Sequence, residues 1–175
     1  MGILTSSEIS KQVVLGGIDI KPFTKENVQI NSYDVTLNNT LITYLGTVLD
    51  MKMPNQTQEL IIPEEGLVLE PGKLYLGSTN EAIGSSLYVP MLEGRSSLGR
   101  LGISIHATAG VGDLGFKNRW TLEISVVQPV KIYPNVRVGQ VIFFKPEGDT
   151  RNQYTGKYAN SVSVEASRSH EDFNS

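Results

Sequence analysis

Apolar and polar residues alternate with period two along most of this chain. One early segment follows a helical spacing instead. In that segment Thr5 and Glu8 form a capping-box pattern, Ile9, Val13 and Val14 fall on one helical face, and Gly16-Gly17 supplies a stop. Beyond it the alternation predicts strands at residues 33–37, 40–45, 59–62 and 73–77, separated by Asn, Gly and Pro clusters. Further strands are expected at 87–92, 103–106, 120–127, 130–133 and 138–144. Many short strands at this spacing, with one short helix, indicate an all-β barrel or sandwich. No segment repeats. From Gly148 onward the chain is polar without sustained periodicity, and a tail that is mobile or docked on a partner is expected.

Composition narrows the picture. A chain of 175 residues fits one domain with a real core, and 39% hydrophobic against 19% charged residues excludes a solvating, disordered chain. A net charge of −3 gives no general affinity for nucleic acid, so a polyanionic ligand must be caught by a few local cations. With no cysteine there is no disulfide, no thiolate nucleophile and no Cys-based zinc site, and the histidines are only His106 and His170. No apolar run approaches the roughly 18–20 residues of a membrane span, and residues 1–10 lack the basic and apolar regions of a secretory signal. A cytoplasmic protein that binds neither membrane nor nucleic acid is the expectation.

Three segments carry candidate chemistry. The first is Glu93-Gly94-Arg95-Ser96-Ser97-Leu98-Gly99-Arg100-Leu101-Gly102, in which glycines permit close approach, serines offer hydroxyls and two arginines stand five residues apart. A turn or helix start here would aim N–H groups outward at phosphate oxygens. A solvated Gly/Ser turn with surface arginines is the plainer alternative, but the whole decapeptide favours phosphate. The second, Ile103 to Phe116, enters a Gly-rich turn with one carboxylate, Asp113. On local grounds it is an ordinary β-turn. His106 falls on the Ser104 side, where a polar contact or an interface role is as compatible as chemistry. In the third, Trp120, Leu122, Ile124 and Val126 alternate with Thr121, Glu123 and Ser125. Glu123 is a solvated strand residue if that face meets water, and a candidate general base on a rigid element if it lines a cleft.

The run Gly94–Gly102, His106-Ala107-Thr108-Ala109, Asp113 to Phe116, Thr121-Leu122-Glu123 and Val138-Gly139-Gln140 closely resembles the deoxycytidine triphosphate deaminase family of the trimeric dUTPase superfamily. The likeness is strong over residues 87–145. Weaker echoes lie in residues 1–23, in Ser32-Tyr33-Asp34, and in the tail at Tyr154, Lys157-Tyr158 and Ser167-Arg168. The resemblance implies a mainly β, dUTPase-like distorted barrel or jelly roll over residues 1–148. A short N-terminal helix precedes it, and a flexible tail, 149–175, closes over the active site.

The same resemblance implies residue roles. Arg95, Ser96, Ser97, Leu98, Gly99 and Arg100 match the triphosphate-binding stretch, with Ser96 and Arg100 near the reacting base. Asp113 matches the carboxylate beside the deoxyribose 3′-hydroxyl. Thr121, Leu122 and Glu123 match the base-contacting strand, with Glu123 as proton shuttle. Gln140, Tyr154 and Lys157 match ligand contacts, while Ser161 stands where the family usually has Gln and Ser163 where it has Gly. His106 and Thr108 match positions linked to feedback inhibition by dTTP.

The implied chemistry needs no zinc: a held water attacks C4 of cytosine while Glu123 moves its proton toward N3 and the departing ammonia. The triphosphate is expected to arrive with Mg²⁺, since a four-fold negative ligand needs more than two arginines. Gly110-Val111 resembles the branch that also cleaves dUTP to dUMP and pyrophosphate, rather than the His-Arg branch that releases dUTP. Gly112 departs from the usual Ile, and a looser turn around Asp113 is expected from that loss. The resemblance further implies a homotrimer with active sites between subunits. The alternatives are a deaminase that stops at dUTP, a dUTPase only, or a nucleotide-sensing relative without turnover.

Overall fold

In the computed structural model, which describes residues 2–173, the chain folds into a mainly β architecture of twelve strands and two α-helices. The elements run β1 (Gly2–Ile3), α1 (Ser6–Leu15), β2 (Asp19–Lys21), β3 (Tyr33–Thr36), β4 (Thr40–Tyr44), β5 (Thr57–Ile61), β6 (Leu67–Leu69), β7 (Tyr75–Gly84), β8 (Val89–Gly94), α2 (Ser96–Gly99), β9 (Ile103–Ser104), β10 (Arg119–Val126), β11 (Val130–Ile132) and β12 (Arg137–Lys145). Short 3₁₀ turns lie at Lys25–Asn27 and Ser169–Phe173.

Two sheets face each other across the core, and a β6–β11 ribbon stands beside them. In one sheet β12 pairs with β8 along one edge and with β3 and then β1 along the other. The other runs β5-β4-β7-β10-β9, with β2 on the far end of β7. All pairings are antiparallel, and the sheets do not close into a continuous barrel.

The alternation in β10 decides which face carries chemistry. Trp120, Leu122, Ile124 and Val126 enter the core beside Val35, Leu41 and Phe143. Thr121 and Glu123 are thereby turned outward. The helix α1 differs from its expected start and face. Thr5 makes no side-chain cap, and the Glu8 carboxylate turns forward to accept from Gln12 Nε2 at 2.7 Å. The N–H of Ser6 instead donates to Ile30 O at 2.8 Å. Ile9 is fully buried, but Val14 points to solvent; Gly16, left-handed at φ 76°, ends the helix as expected.

Strand β7 runs well past residue 77. Its middle, Ser78-Thr79-Asn80-Glu81, has no alternation because it is largely buried on both faces. Its polar groups are paired: Glu81 accepts from Thr36 N and Oγ1, each at 2.9 Å, and Thr79 Oγ1 donates to Glu81 O at 2.7 Å. Thr79 Oγ1 also takes the Trp120 N–H at 2.9 Å, at the point where the β7–β10 register slips. This bulge re-aims the start of β10 where it turns Thr121 outward.

The tail, expected to be mobile or docked on a partner, makes ordered contacts within this chain. It lies along its own domain, with Tyr154 N donating to Leu114 O at 2.7 Å, Ser167 N to the Tyr44 hydroxyl at 2.9 Å and Ser169 Oγ to Met51 O at 2.8 Å. Hydrophobic and aromatic contacts hold it as well, since the Tyr154 ring meets Phe116 edge-on at 5.7 Å. Polarity of sequence concealed these contacts.

Candidate active site

Two concavities collect most of the residues singled out by sequence. The larger, about 490 Å³, lies on the outward face of β10. Thr121 and Glu123 line it from that strand, Val111, Gly112 and Asp113 from the preceding turn, and Tyr154 and Ser161 from the tail. So the open question about Glu123 resolves toward a cleft, and it is half-buried there. The Glu123 N–H donates to Ile105 O at 2.8 Å, and one residue pair further on the Ala107 N–H donates to Glu123 Oε2 at 2.6 Å. The carboxylate thus takes the N–H at which backbone pairing between the two segments ends. One oxygen is anchored, and the group stays on a rigid strand at the cavity wall.

Asp113 is exposed at the rim of the same cavity. The turn that carries it is stitched to β8: Leu92 N donates to Gly110 O at 2.6 Å, Gly112 N to Pro90 O at 2.8 Å, and Val111 bridges Met91. The loosening expected from Gly112 is therefore not what the structure shows. The position is filled from outside by the Trp120 ring, which a Cβ on Gly112 would overlap. Val111 is 65% exposed.

The smaller concavity, about 260 Å³, is formed by Arg95, Ser96, Ser97, Gln140, Asp34 and the 29–32 loop. Asp34, Gln140 and Glu93 are cross-strand partners on β3, β12 and β8, so their side chains share one sheet face. Gln140 accepts from Ser32 Oγ at 2.9 Å and donates to Gly94 O at 3.1 Å. Buried Asp34 stands 3.5 Å from Arg95 Nη2 and 3.7 Å from Arg137 Nη1, yet its Oδ2 accepts no hydrogen bond. Burial raises its pKa above the ordinary aspartate value, and the two guanidinium groups only partly oppose this.

The helix α2 is a single turn in which Arg95 O takes the N–H groups of Leu98 and Gly99, which leaves those of Ser96 and Ser97 at its open end. Leu98 packs inward against the core, whereas Ser96, Ser97, Gly99 and Arg100 face solvent.

Several expected residues stand apart from both concavities. The Leu122 side chain is fully buried in the core, as the strand alternation requires, so it cannot reach the cavity. Arg100, Leu98, Gly99 and Thr108 line neither concavity. His106 Nε2 is 3.6 Å from Glu93 Oε2, its Nδ1 makes no hydrogen bond, and it lines neither concavity. Lys157 is tied to Asp172 at 2.6 Å and Arg168 to Glu171 at 2.6 Å, so these two cations are engaged within the tail. Among the described residues no group of three or more His, Asp or Glu side chains is arranged to hold a metal ion.

Tyr44, Leu76, Phe116, Arg119 and Tyr158 also line the larger cavity, though none of them was expected as a site residue, and Tyr158 was quoted only beside Lys157. Phe116 belongs to a segment already quoted, two residues from Leu114. Tyr44 and Leu76 lie far away in sequence and carry no local signal, because only sheet pairing brings β4 and β7 to this face.

A family described as dCTP deaminase-like matches residues 3–146. A Clostridium botulinum protein named "dCTP deaminase, dUMP-forming" is 53% identical over 171 residues, covering 98% of each chain. A protein of the same name from Clostridium beijerinckii is 50% identical over 171 residues, again 98% of each. Among solved structures, the 2′-deoxycytidine 5′-triphosphate deaminase of Agrobacterium tumefaciens superposes with a TM-score of 0.66 at 21% identity, over 83% of this chain and 48% of that one, which shows a shared fold.

Proposed function

The chain belongs to the dCTP deaminase-like family, and from that premise we propose that it deaminates dCTP and hydrolyses the resulting dUTP to dUMP and pyrophosphate. The observation that carries this reading is the anchored Glu123 carboxylate on β10, facing a cavity of nucleoside size with Asp113 on its rim. Full-length relatives named for dUMP formation support the second step, as does the Gly110-Val111 pair.

In deamination a water adds to C4 of cytosine as Glu123 accepts its proton. Protons then pass to N3 and to the leaving amine, the C4–N bond breaks, and ammonia departs to leave dUTP. Glu123 suits this because one oxygen is held by the Ala107 N–H while the carboxylate stays on the strand. Thr121, which lines the same cavity, meets the base edge in this reading. In hydrolysis a second water attacks the α-phosphorus and the pyrophosphate leaves. Asp113 binds the deoxyribose 3′-hydroxyl, and Gly110-Val111 leaves room for this water.

Ser96, Ser97, Gly99 and Arg100, with half-buried Arg95, take the triphosphate and the far side of the base. In one chain they lie on the turn that joins β8 to β9, in the smaller concavity or on open surface, and none of them lines the Glu123 cavity. That division favours a homotrimer in which one subunit's arginine turn completes a neighbour's Glu123 cavity. Tyr154, Ser161 and Lys157 bring the tail over the nucleotide. His106 and Thr108, on the segment that ends at the Glu123 carboxylate, are the positions through which dTTP acts as an inhibitor.

Mg²⁺ fits this donor set as a passenger of the triphosphate, because among the described residues no carboxylates are clustered into a cage, and Asp34 in the smaller concavity stands beside Arg95 rather than beside other carboxylates. When bound it would supply positive charge to the triphosphate that the arginine turn alone does not provide.

Incubation of the pure protein with dCTP and Mg²⁺, followed by chromatography, tests the whole reading. Ammonia, dUMP and pyrophosphate in equal amounts are expected, with directly supplied dUTP cleaved as well. Chelation of Mg²⁺ raises KM for the triphosphate. Stoichiometric dUTP without pyrophosphate refutes the second step, and unchanged dCTP refutes both.

A further inference from the structure

Gly112 immediately precedes Asp113, and the space its side chain would need is already occupied. Its backbone is outside the left-handed region, so no conformational demand calls for glycine. A Cβ there would fall 2.6 Å from Trp120 Cζ2 and 3.0 Å from Pro90 Cγ, inside the range of steric overlap. The indole cannot easily withdraw. Its Nε1–H donates to Ile83 O at 2.9 Å, and its own backbone N–H is held by Thr79 Oγ1. From the other end of the turn the Phe116 ring meets the indole edge-on at 5.7 Å and 89°, while Phe116 N donates to Asp113 O at 3.2 Å. Residues 112–116 therefore bend around one nearly buried ring.

We propose that Trp120 is the positioning residue of Asp113: the indole fills the volume beneath Gly112, so positions 112 and 120 are a size-matched pair that sets where the exposed carboxylate stands. This rests on the reading that Asp113 binds the sugar 3′-hydroxyl. The pairing also accounts for glycine at this position, since any side chain there and this indole exclude one another.

The test compares kcat/KM for dCTP with that for its 2′,3′-dideoxy analogue in four proteins: parent, Trp120→Val, Gly112→Ile and the double variant. The parent favours dCTP by roughly ten- to hundredfold, the usual worth of a hydrogen bond to a charged group. In each single variant the preference falls toward unity, because one vacates the ring's volume and the other overlaps it. In the double variant it recovers, as expected of coupled neighbours. A mere loss of stability lowers both substrates alike and leaves the ratio unmoved. Trp120→Phe and Gly112→Ala, milder steps of the same kind, carry the test if a larger change prevents folding.

A parent that does not distinguish the two nucleotides sinks the Asp113 reading and this inference with it. A preference that survives in Trp120→Val overturns the positioning role alone. Loss in Trp120→Val without recovery in the double variant overturns it too, since the indole then acts by touching the nucleotide.

Discussion

Replacing Glu123 by Gln removes one proton-accepting oxygen and little else. The amide keeps the length of the side chain, and its carbonyl oxygen can still accept the Ala107 N–H now held at 2.6 Å by Oε2. The strand is unaffected, because Glu123 N still donates to Ile105 O and the neighbouring Leu122 and Ile124 remain in the core. What is lost is the base that takes the water's proton, a contribution of about 10²–10⁴ in rate. At 1.36 kcal/mol per decade this raises the barrier by roughly 3–5 kcal/mol. The expected kcat for ammonia release from dCTP falls by that factor, and KM shifts by only a few-fold. Glu123→Ala is worse in a second way, since it also strips the Ala107 N–H of its partner and unpins the 103–107 segment. Coupled ammonia detection with dCTP measures the first effect, and dUTP cleavage measured on the same samples separates it from damage to the pocket. Deamination by Glu123→Gln at near the parental rate would refute the argument, whatever else the variant did.

Three further outcomes follow from the geometry. Asp34 titrates above its ordinary range because it is buried, so its contribution to stability is present below the unfolded-state value near ~3.9 and is lost as pH rises through the raised one. Denaturant midpoints of Asp34→Asn should therefore fall less than the parent's between acid and neutral pH, and parallel curves would contradict this. Glu171 is held below the usual carboxylate range by its hydrogen bond from Arg168. Tail docking thus keeps that contact above the ordinary glutamate value of about 4.3 and loses it as pH falls through the lowered one, which limited proteolysis across residues 154–173 should detect as faster cleavage in acid. Finally, mixing inactive Glu123→Gln with inactive Arg100→Ala, after dissociation and reassembly, should restore deamination if two chains share each site. Continued inactivity of mixed oligomers, or a fully active monomer by sedimentation, would overturn the shared site.

Much of this protein is written locally in its sequence. Alternation through Trp120, Leu122, Ile124 and Val126 assigns Glu123 to the face opposite the core, because successive residues of a strand must point to opposite sides. The Glu93–Gly102 decapeptide and the Gly-rich approach to Asp113 announce themselves by residue type and spacing. So does the family resemblance, which the full-length relatives bear out. Other features required the assembled sheets. The buried polar middle of β7 has no period to read, since both its faces are largely covered and its hydroxyl and carboxylate groups find partners only across strands. The tail reads as solvent-loving, yet its backbone N–H groups and tyrosines are satisfied by Leu114, Tyr44 and Phe116, residues distant along the chain. Gly112 reads as slack and is in truth filled by a ring eight residues away, because close packing is a property of volumes meeting in space, which no local pattern records. For the same reason the arginine turn, although it leads straight into the strand beside β10, contributes nothing to the lining of the Glu123 cavity.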